Sequence, residues 1–511
     1  MNFLVIAQIF AILGSGLLAQ PIVMFVSGNT SKAVWLATSL NIGAAALNPT
    51  LSQAVDYWGR KWILVGTTAF GLVGAIVVSR AQSIATVLVG FAFMAVMFGG
   101  QAASFAVVGE ILPRKHRAIG QASLNVSQGL AGISGVLFCG ALVQNGGAQN
   151  YRTYFYVVIG LFALATASIA IFYNPPVREL QASLTQIEKL KSLDWVGMLT
   201  FTVGAILFCI GLAWSDNPYR WNNAHILATF VPGLLLLLLF CLYEWRFKRN
   251  GIAHHGLFVH RNYIISLTTA FQEGLAVFTL NYYLAMEGIV LFGLGFFQAS
   301  SRYATVYVYG ILLSFVSAWY ITRFRSLKGP LIFSQLALLL MFILMATVKP
   351  TTSEGVLWGY PMLGGLGLGV VTTVIFVGAQ LSVTGELIAV GTGLVAAARA
   401  LGGLVGLVVN NAIFNSAVES NVPSRVAAAV LPLGLDPTQL PGFIAALAAG
   451  SAEALAAIPG VTPEIIGAAA QALRQGYSVA FRNVWITAAC FTVPGVVRKL
   501  IFRECHDLIG G

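Results

Sequence analysis

The sequence predicts an all-α integral membrane protein with fourteen membrane-spanning helices. Three observations predict it. Charged residues are 9% of the 511 and hydrophobic residues 58%, whereas in ordinary soluble domains roughly a quarter of residues are charged. Apolar runs of about 20 residues recur along nearly the whole chain, each long enough for a helix to cross the hydrocarbon core. Lys and Arg also sort to alternate loops when the N-terminus is placed in the cytoplasm. Helices suit this setting because they satisfy their own backbone hydrogen bonds where lipid cannot.

Spans are expected at 3–27, 33–55, 63–79, 84–108, 119–142 and 153–173, then at 195–214, 225–244, 264–290, 303–322, 330–348, 356–382, 387–415 and 481–500. The first begins almost at Met1 with no basic region before it, and its apolar run is too long for a cleaved signal peptide. A polar linker at 175–192 carries Arg178, Glu179, Glu188, Lys189 and Lys191. The stretch 264–298 is too long for one upright helix and too short for two, which predicts a long tilted or broken helix. Residues 417–480 are rich in Ala, Pro and Gly. Within them 441–457 and 463–472 read as short amphipathic helices, either a passive surface loop or an outer lid.

Of the 28 Lys and Arg, 18 fall on the side placed in the cytoplasm and 9 on the other, with Arg399 inside a span. The formal charge of +11 therefore reads as membrane orientation rather than nucleic-acid binding. Four of the five cysteines (Cys139, Cys209, Cys241 and Cys490, but not Cys505) fall inside spans and read as small apolar residues, with no disulfide or zinc spacing.

Motifs stand in the loops. Between spans 2 and 3, Ser52 is followed by Asp56, Gly59, Arg60 and Lys61. After span 4 come Glu110, Pro113 and Arg117, and span 5 carries Gly129, Gly132, Gly135 and Gly140. Asn150-Tyr-Arg152 precedes span 6, Leu193-Asp194-Trp195-Val-Gly197 opens span 7, and Ala398-Arg399-Ala-Leu-Gly402-Gly403 lies in span 13. Together these residues resemble the major facilitator superfamily: its signature loop between helices 2 and 3, its acid–proline–arginine loop between helices 4 and 5, and, in part, its antiporter glycine motif. The 14-helix drug:proton antiporter branch is the likeness within it, and the fungal trichothecene efflux pump group the nearest within that branch. Ser52 stands where the signature has glycine, and the glycine motif lacks its Gly-Pro pair.

The resemblance implies two six-helix bundles around a central cavity, at 1–174 and 263–511. A cytoplasmic linker at 175–194 and two inserted helices with their following loop at 195–262 stand between them. It implies that Asp56, Gly59, Arg60 and Lys61 form a gate latch, against the plainer reading of a charged turn at a membrane face. The loop Ser317–Lys328 matches the signature loop in position but has Ile321 where Asp56 stands, a weak internal repeat.

A proton-driven exporter needs a group that titrates inside the membrane. Glu273, Glu287 and Glu110 are the candidates. For Glu287 and Glu110 the competing reading is an interfacial carboxylate in water. Arg399 is either a partner for a carboxylate or anionic group across the cavity, or a structural link to helix-end carbonyls. Span 1 has no acid and span 4 no arginine, so the family's usual proton relay is incomplete. By analogy the cavity draws on spans 1, 2, 4, 5, 9, 10 and 13, with Gln20, Asn41, Asn48, Gln101, Asn125, Gln128, Gln272, Tyr282 and Tyr283 as polar or aromatic candidates beside Arg399. The competing reading for each is an interhelical hydrogen bond. Few are charged, which fits a neutral amphipathic ligand.

Other signals point away from chemistry. Gly365-Leu-Gly367-Leu-Gly369 sits in an apolar span with no strand before it and reads as helix packing. No phosphate-binding G-x-x-x-x-G-K-S/T motif exists, so the chain has no ATPase of its own. His254 and His255 read as solvated loop residues rather than metal ligands, and Asn29-Thr-Ser31 is a glycosylation sequon beside the membrane. The expectation is a secondary transporter and not an enzyme: a monomer in the lipid bilayer, without cofactor, metal or nucleic acid, exporting a small amphipathic toxin or drug against protons. The plasma membrane is the expected location, the vacuolar membrane the second, with both termini cytoplasmic. A siderophore carrier is the rival within transport. A transporter-like sensor or inactive remnant is the rival outside it, favoured by the incomplete relay and the short N-terminal tail.

Overall fold

The computed structural model describes residues 1–511 except 19–21, 23–25, 27–32, 147–149, 177–178, 216–220, 249, 450–454, 456 and 501–511. The helices that build the molecule are α1 (Asn2–Leu17), α2 (Ala33–Trp58), α3 (Arg60–Ser79), α4 (Ile84–Gly99), α5 (Gln101–Ile111), α6 (Arg117–Gly146), α7 (Tyr151–Phe172), α8 (Trp195–Trp214), α9 (Ala224–Arg246), α10 (Arg261–Phe292), α11 (Phe296–Phe324), α12 (Lys328–Met345), α13 (Val356–Leu381), α14 (Ile388–Val430), α15 (Leu440–Ala449) and α16 (Pro463–Leu500). Among the described residues, eleven spans are long and apolar enough to cross a membrane: α3, the α4–α5 run, and each helix from α6 to α14. Helices α1, α2 and α16 stand where the other three spans are expected.

Large apolar side chains such as Phe172, Leu239 and Trp319 are exposed on the outer surface, where lipid meets them. Burial from water therefore does not drive these helices together, and close fit must. Helices α1–α7 meet helices α10–α16 along α2 against α14 and α6 against α11. Small residues set both contacts. A methyl group on Gly393 of α14 would come within 2.7 Å of Ser52 Cβ on α2, and one on Gly132 of α6 within 2.6 Å of the Tyr307 ring on α11. Helices α8 and α9 pair with each other, and α8 lies against α2 and α14, sharing a core with Ala46. Asp194 opens α8 by accepting the Gly197 amide at 3.1 Å. The glycines at 365, 367 and 369 pack against α11 and α12, in keeping with helix packing.

Two long elements differ from the expected bounds. The ambiguous stretch is one continuous 32-residue helix, α10, ended by Gly293 in the left-handed conformation (φ 67°) that glycine adopts without steric cost. Helix α11 then begins at Phe296 rather than near 303. Helix α14 runs for 43 residues, about 65 Å, well past the expected end of its span. Helix α16 begins at Pro463, so the segment expected as a loop with short helices is largely the continuation of two spans. These extensions and α15 share a separate apolar cluster of Val422, Val426, Val430, Phe443, Ile465 and Ala469, which gives an Ala-, Pro- and Gly-rich segment a core of its own.

The fourth span is split. Asn48 of α2 accepts the Ala102 amide at 2.9 Å and donates to the Phe98 carbonyl at 3.3 Å. Its side-chain amide thus replaces helix hydrogen bonds lost at the α4–α5 break, which keeps that backbone satisfied inside the membrane.

Candidate functional site

A cavity of about 140 Å³ lies where α1, α2, the α4–α5 run, α6, α10, α11, α13 and α14 converge. Its central polar feature is an ion pair across α10 and α14. Arg399 Nη2 donates to Glu273 Oε1 at 2.9 Å, and Arg399 Nε donates to Glu273 Oε2. Thr372 Oγ1 of α13 donates to Glu273 Oε1 at 3.1 Å. This two-pronged guanidinium–carboxylate geometry is among the stronger polar contacts available to a protein. Glu273 is only 1% exposed. The backbones must approach closely for the pair to form: a methyl group on Gly274 would meet the Arg399 carbonyl carbon at 2.8 Å, and one on Gly402 would meet the Phe271 Cα at 2.9 Å. The small residues beside each charge therefore bring the two helices into reach.

Asn41, Gln101, Asn125 and Gln128 also line the cavity. Asn125 donates to Thr373 Oγ1 at 2.7 Å, which joins α6 to α13. Four expected lining residues are not among those that line it: Asn48 holds the α4–α5 break, Tyr283 packs in an apolar core beside Phe414, and Gln272 and Tyr282 point elsewhere. Gln272 turns the other way and donates to Gln335 Oε1 at 2.7 Å and to the Thr492 carbonyl at 3.1 Å, a link among α10, α12 and α16. Tyr282 lines a separate small pocket with Leu212 and Asn411. Gln20 lies outside the described residues. Glu287 is 1% exposed and accepts from Trp485 Nε1 at 2.8 Å. That corrects the reading of an interfacial carboxylate in water, but it is not among the residues lining the cavity. Sequence reasoning missed Thr372, Tyr303, Tyr307, Asn281 and the floor pair Phe105 and Phe376, whose rings stack at 4.2 Å. Tyr303 and Tyr307 are spaced one helical turn apart, a signal that was available.

A second polar group lies at the end of the molecule that carries residues 59–61, the loop face. Arg60 Nη2 is 3.9 Å from Asp56 Oδ1, and Arg60 Nε contacts Glu110 Oε2. The Arg60 and Glu110 side chains are only 6% and 8% exposed, so Glu110 is a buried partner rather than a water-exposed acid. Lys61 Nζ donates to Asn174 Oδ1 at 2.5 Å. Pro113 leads into a short 3₁₀ turn at Arg114–His116, from which Arg117 Nη1 donates to the Gln380 carbonyl at 3.0 Å. The Gln380 side chain donates to the Phe105 carbonyl at 3.0 Å and accepts from Gln121 Nε2 at 3.2 Å. Gln380 is the one amide side chain in α13, a signal that was available.

His254 and His255 are half-buried rather than solvated. His254 accepts the Gly256 amide at 3.0 Å, and His255 Nε2 lies 2.9 Å from the Glu244 carbonyl oxygen. Burial first, and the neighbouring His255 second, hold His254 below the usual imidazole range. Among the described residues no group of three or more His, Cys, Asp or Glu side chains is placed to hold a metal ion.

Comparison with known proteins agrees with this architecture. The family model of the fungal trichothecene efflux pump (TRI12) matches residues 1–509. The chain is 23% identical over 503 residues to the trichothecene efflux pump TRI12 of Fusarium sporotrichioides, covering 95% of this chain and 82% of that protein. It is 23% identical over 466 residues to the MFS-type efflux pump MFS1 of Arthroderma benhamiae, covering 91% and 82%. Among solved structures, the MFS proton:xylose symporter XylE bound to 6-bromo-6-deoxy-D-glucose superposes with a TM-score of 0.56 at 13% identity, covering 99% of this chain and 98% of that one. The human organic anion transporter MFSD10 gives 0.54 at 12%, covering 96% and 99%. At such identities these structures share the fold alone. A multi-pass helical architecture with a cavity between two sets of spans, and a family match along almost all of its length, place this chain in the fungal trichothecene efflux pump family of the major facilitator superfamily.

Proposed function

We propose that this protein is a secondary active transporter that exports a small amphipathic toxin, trichothecene-like in character, in exchange for protons. It works as a monomer with fourteen spans in the plasma membrane, without a cofactor. The loop face is cytoplasmic. The bundles at 1–174 and 263–511 rock about the cavity, and residues 195–262 form an inserted pair beside them. The observation that carries this reading is the Glu273–Arg399 pair in the cavity wall.

Arg399 holds the Glu273 carboxylate through two hydrogen bonds. A proton arriving from the far side neutralises Glu273 and weakens its hold on Arg399, so the pairing reports on which side last supplied a proton. Breaking a buried ion pair by removing one partner typically costs about 3–5 kcal/mol, and protonation of the acid lowers that cost. Substrate leaves as the pair opens, and release of the proton to the cytoplasm restores it. Asn41, Gln101, Asn125 and Gln128 offer neutral hydrogen bonds to the substrate, and the aromatic residues offer apolar contact. The cavity of about 140 Å³ is smaller than the roughly 300–1,000 Å³ of sites for drug-sized ligands. The bundles must therefore part to admit cargo, and the bonds around Gln380, together with Asp56 and Arg60, form the cytoplasmic gate.

The test uses inside-out vesicles with an imposed proton gradient and a panel of amphipathic toxins and dyes. Wild type should accumulate substrate in a way a protonophore abolishes, and Glu273→Gln should lose that accumulation by at least about tenfold while eluting as folded monomer. Gradient-driven accumulation by Glu273→Gln at the wild-type rate would remove Glu273 from the coupling.

A further inference from the structure

We propose that the far face, opposite residues 59–61, carries a binding pocket for a phosphate group, separate from the central cavity. A basin of about 650 Å³ opens there between the end of α12, the outward extension of α14 and the first half of α16. Lys349, Arg425, Arg474 and Arg482 line it, together with the amides of Gln471 and Gln475, and no acid lines it. All four cations are exposed. Among the described residues, none of the four donates a side-chain hydrogen bond or forms an ion pair.

The sequence makes this convergence unusual. The far face is the side poor in Lys and Arg, with 9 of the 28, and four of those nine meet in this one basin. Others on that face are engaged: Arg302 pairs with Glu354 at 2.7 Å, and Arg152 donates to the Ala81 carbonyl at 3.2 Å. Helix ends explain part of the cluster. Arg474 lies by Gly293, which caps α10, and Lys349 follows the end of α12, where a cation complements the helix dipole. Arg425 and Arg482 sit within α14 and α16, so no helix end accounts for them.

Like charges gathered in one concavity repel, and an anion in the middle removes that repulsion. Guanidinium forks and side-chain amides supply many donors, which matches the several acceptor oxygens of a phosphate better than the two of a carboxylate. The volume leaves room for the organic group that the phosphate carries. Ile486, one turn from Arg482, is exposed on the outer surface, which gives a phospholipid headgroup a side approach to the basin, while a soluble phosphate ester has one from the water.

The test is calorimetric titration of the full-length protein in neutral detergent, with inorganic phosphate and with short-chain phosphatidic acid as two separate probes. Wild type should bind at least one. Arg425→Gln with Arg482→Gln should weaken that binding by roughly tenfold per arginine removed, the size expected of one charge-assisted hydrogen bond. Binding of both probes assigns the site to soluble phosphate groups, and binding of phosphatidic acid alone assigns it to lipid headgroups. Arg474→Gln alone serves if the double variant does not elute as folded monomer. The proposal is overturned if neither probe binds wild type, if the basin variants bind as wild type does, or if Arg323→Gln on the loop face weakens binding equally.

Discussion

The two halves of the molecule turn the same corner in different ways. After α2 the chain passes through Gly59 (φ 87°, ψ 158°), and after α11 it passes through Arg325 (φ 54°, ψ 28°). The first conformation belongs to a region that is essentially glycine-only. The second is the ordinary left-handed well, which a side chain tolerates at a cost of about 1–2 kcal/mol. One helical turn before each corner stands a buried residue, Asp56 in the first half and Ile321 in the second. The first corner is therefore tied down by charge, through Asp56, Arg60 and Glu110, and the second by apolar packing. The two corners share a bend but not its chemistry: charged groups surround the first and an apolar side chain backs the second.

The contrast breaks most easily at Arg60. Replacing it with Ala strands the Glu110 carboxylate in a buried site and should destabilise the protein by about 3–5 kcal/mol, read as the thermal unfolding midpoint in detergent. A loss below about 1 kcal/mol, the range of a surface pair, would make the two corners energetically alike. Gly59→Ala should cost about 1–3 kcal/mol, whereas Arg325→Gly, which relieves a left-handed side chain, should cost nothing and stabilise by up to about 1 kcal/mol. The same melting experiment checks both, and matching signs would show that the corners are strained alike.

The smallest effect concerns the linker that follows the first half. There Thr185 and Glu188 cap the short helix Gln186–Ser192 reciprocally. The Thr185 amide, then its hydroxyl, hold the Glu188 carboxylate below its usual range. A depressed folded-state value means this cap contributes fully above the unfolded value and is lost as pH falls through the folded one. Amide hydrogen exchange in 186–192, corrected for intrinsic rates, should therefore show lower protection in acid than at neutral pH, and Glu188→Gln should flatten that dependence.

What was legible in the sequence follows from range. Asp56, Gly59 and Arg60 are close along the chain, so their turn and their charges could be read together. Glu273 and Arg399 were each visible as a charge inside an apolar run, but they lie 126 residues apart, and only the packing of α10 on α14 makes them a pair. Gln272 and Glu273 are adjacent, yet one turns toward α12 and α16 and the other into the cavity. Helix rotation decides that: adjacent residues on a helix point about 100° apart, and with polar residues spread along α10 the sequence does not say which of the two meets the cavity. The segment expected as a loop became helix because its alanines favour helix and its scattered Val, Phe and Ile residues meet only when α14 and α16 run on past the membrane.

That extension of α14 has a mechanical consequence. One stiff rod holds Arg399 in the cavity wall and Val422 in the apolar cluster beyond the far face. The two points are separated by about 35 Å at the usual helical rise, so a tilt of about 10° about the ion pair would sweep the outer end through roughly 6 Å. On the proposed mechanism, a sub-ångström change at Glu273 would be geared up at the far face into a displacement the width of a small molecule.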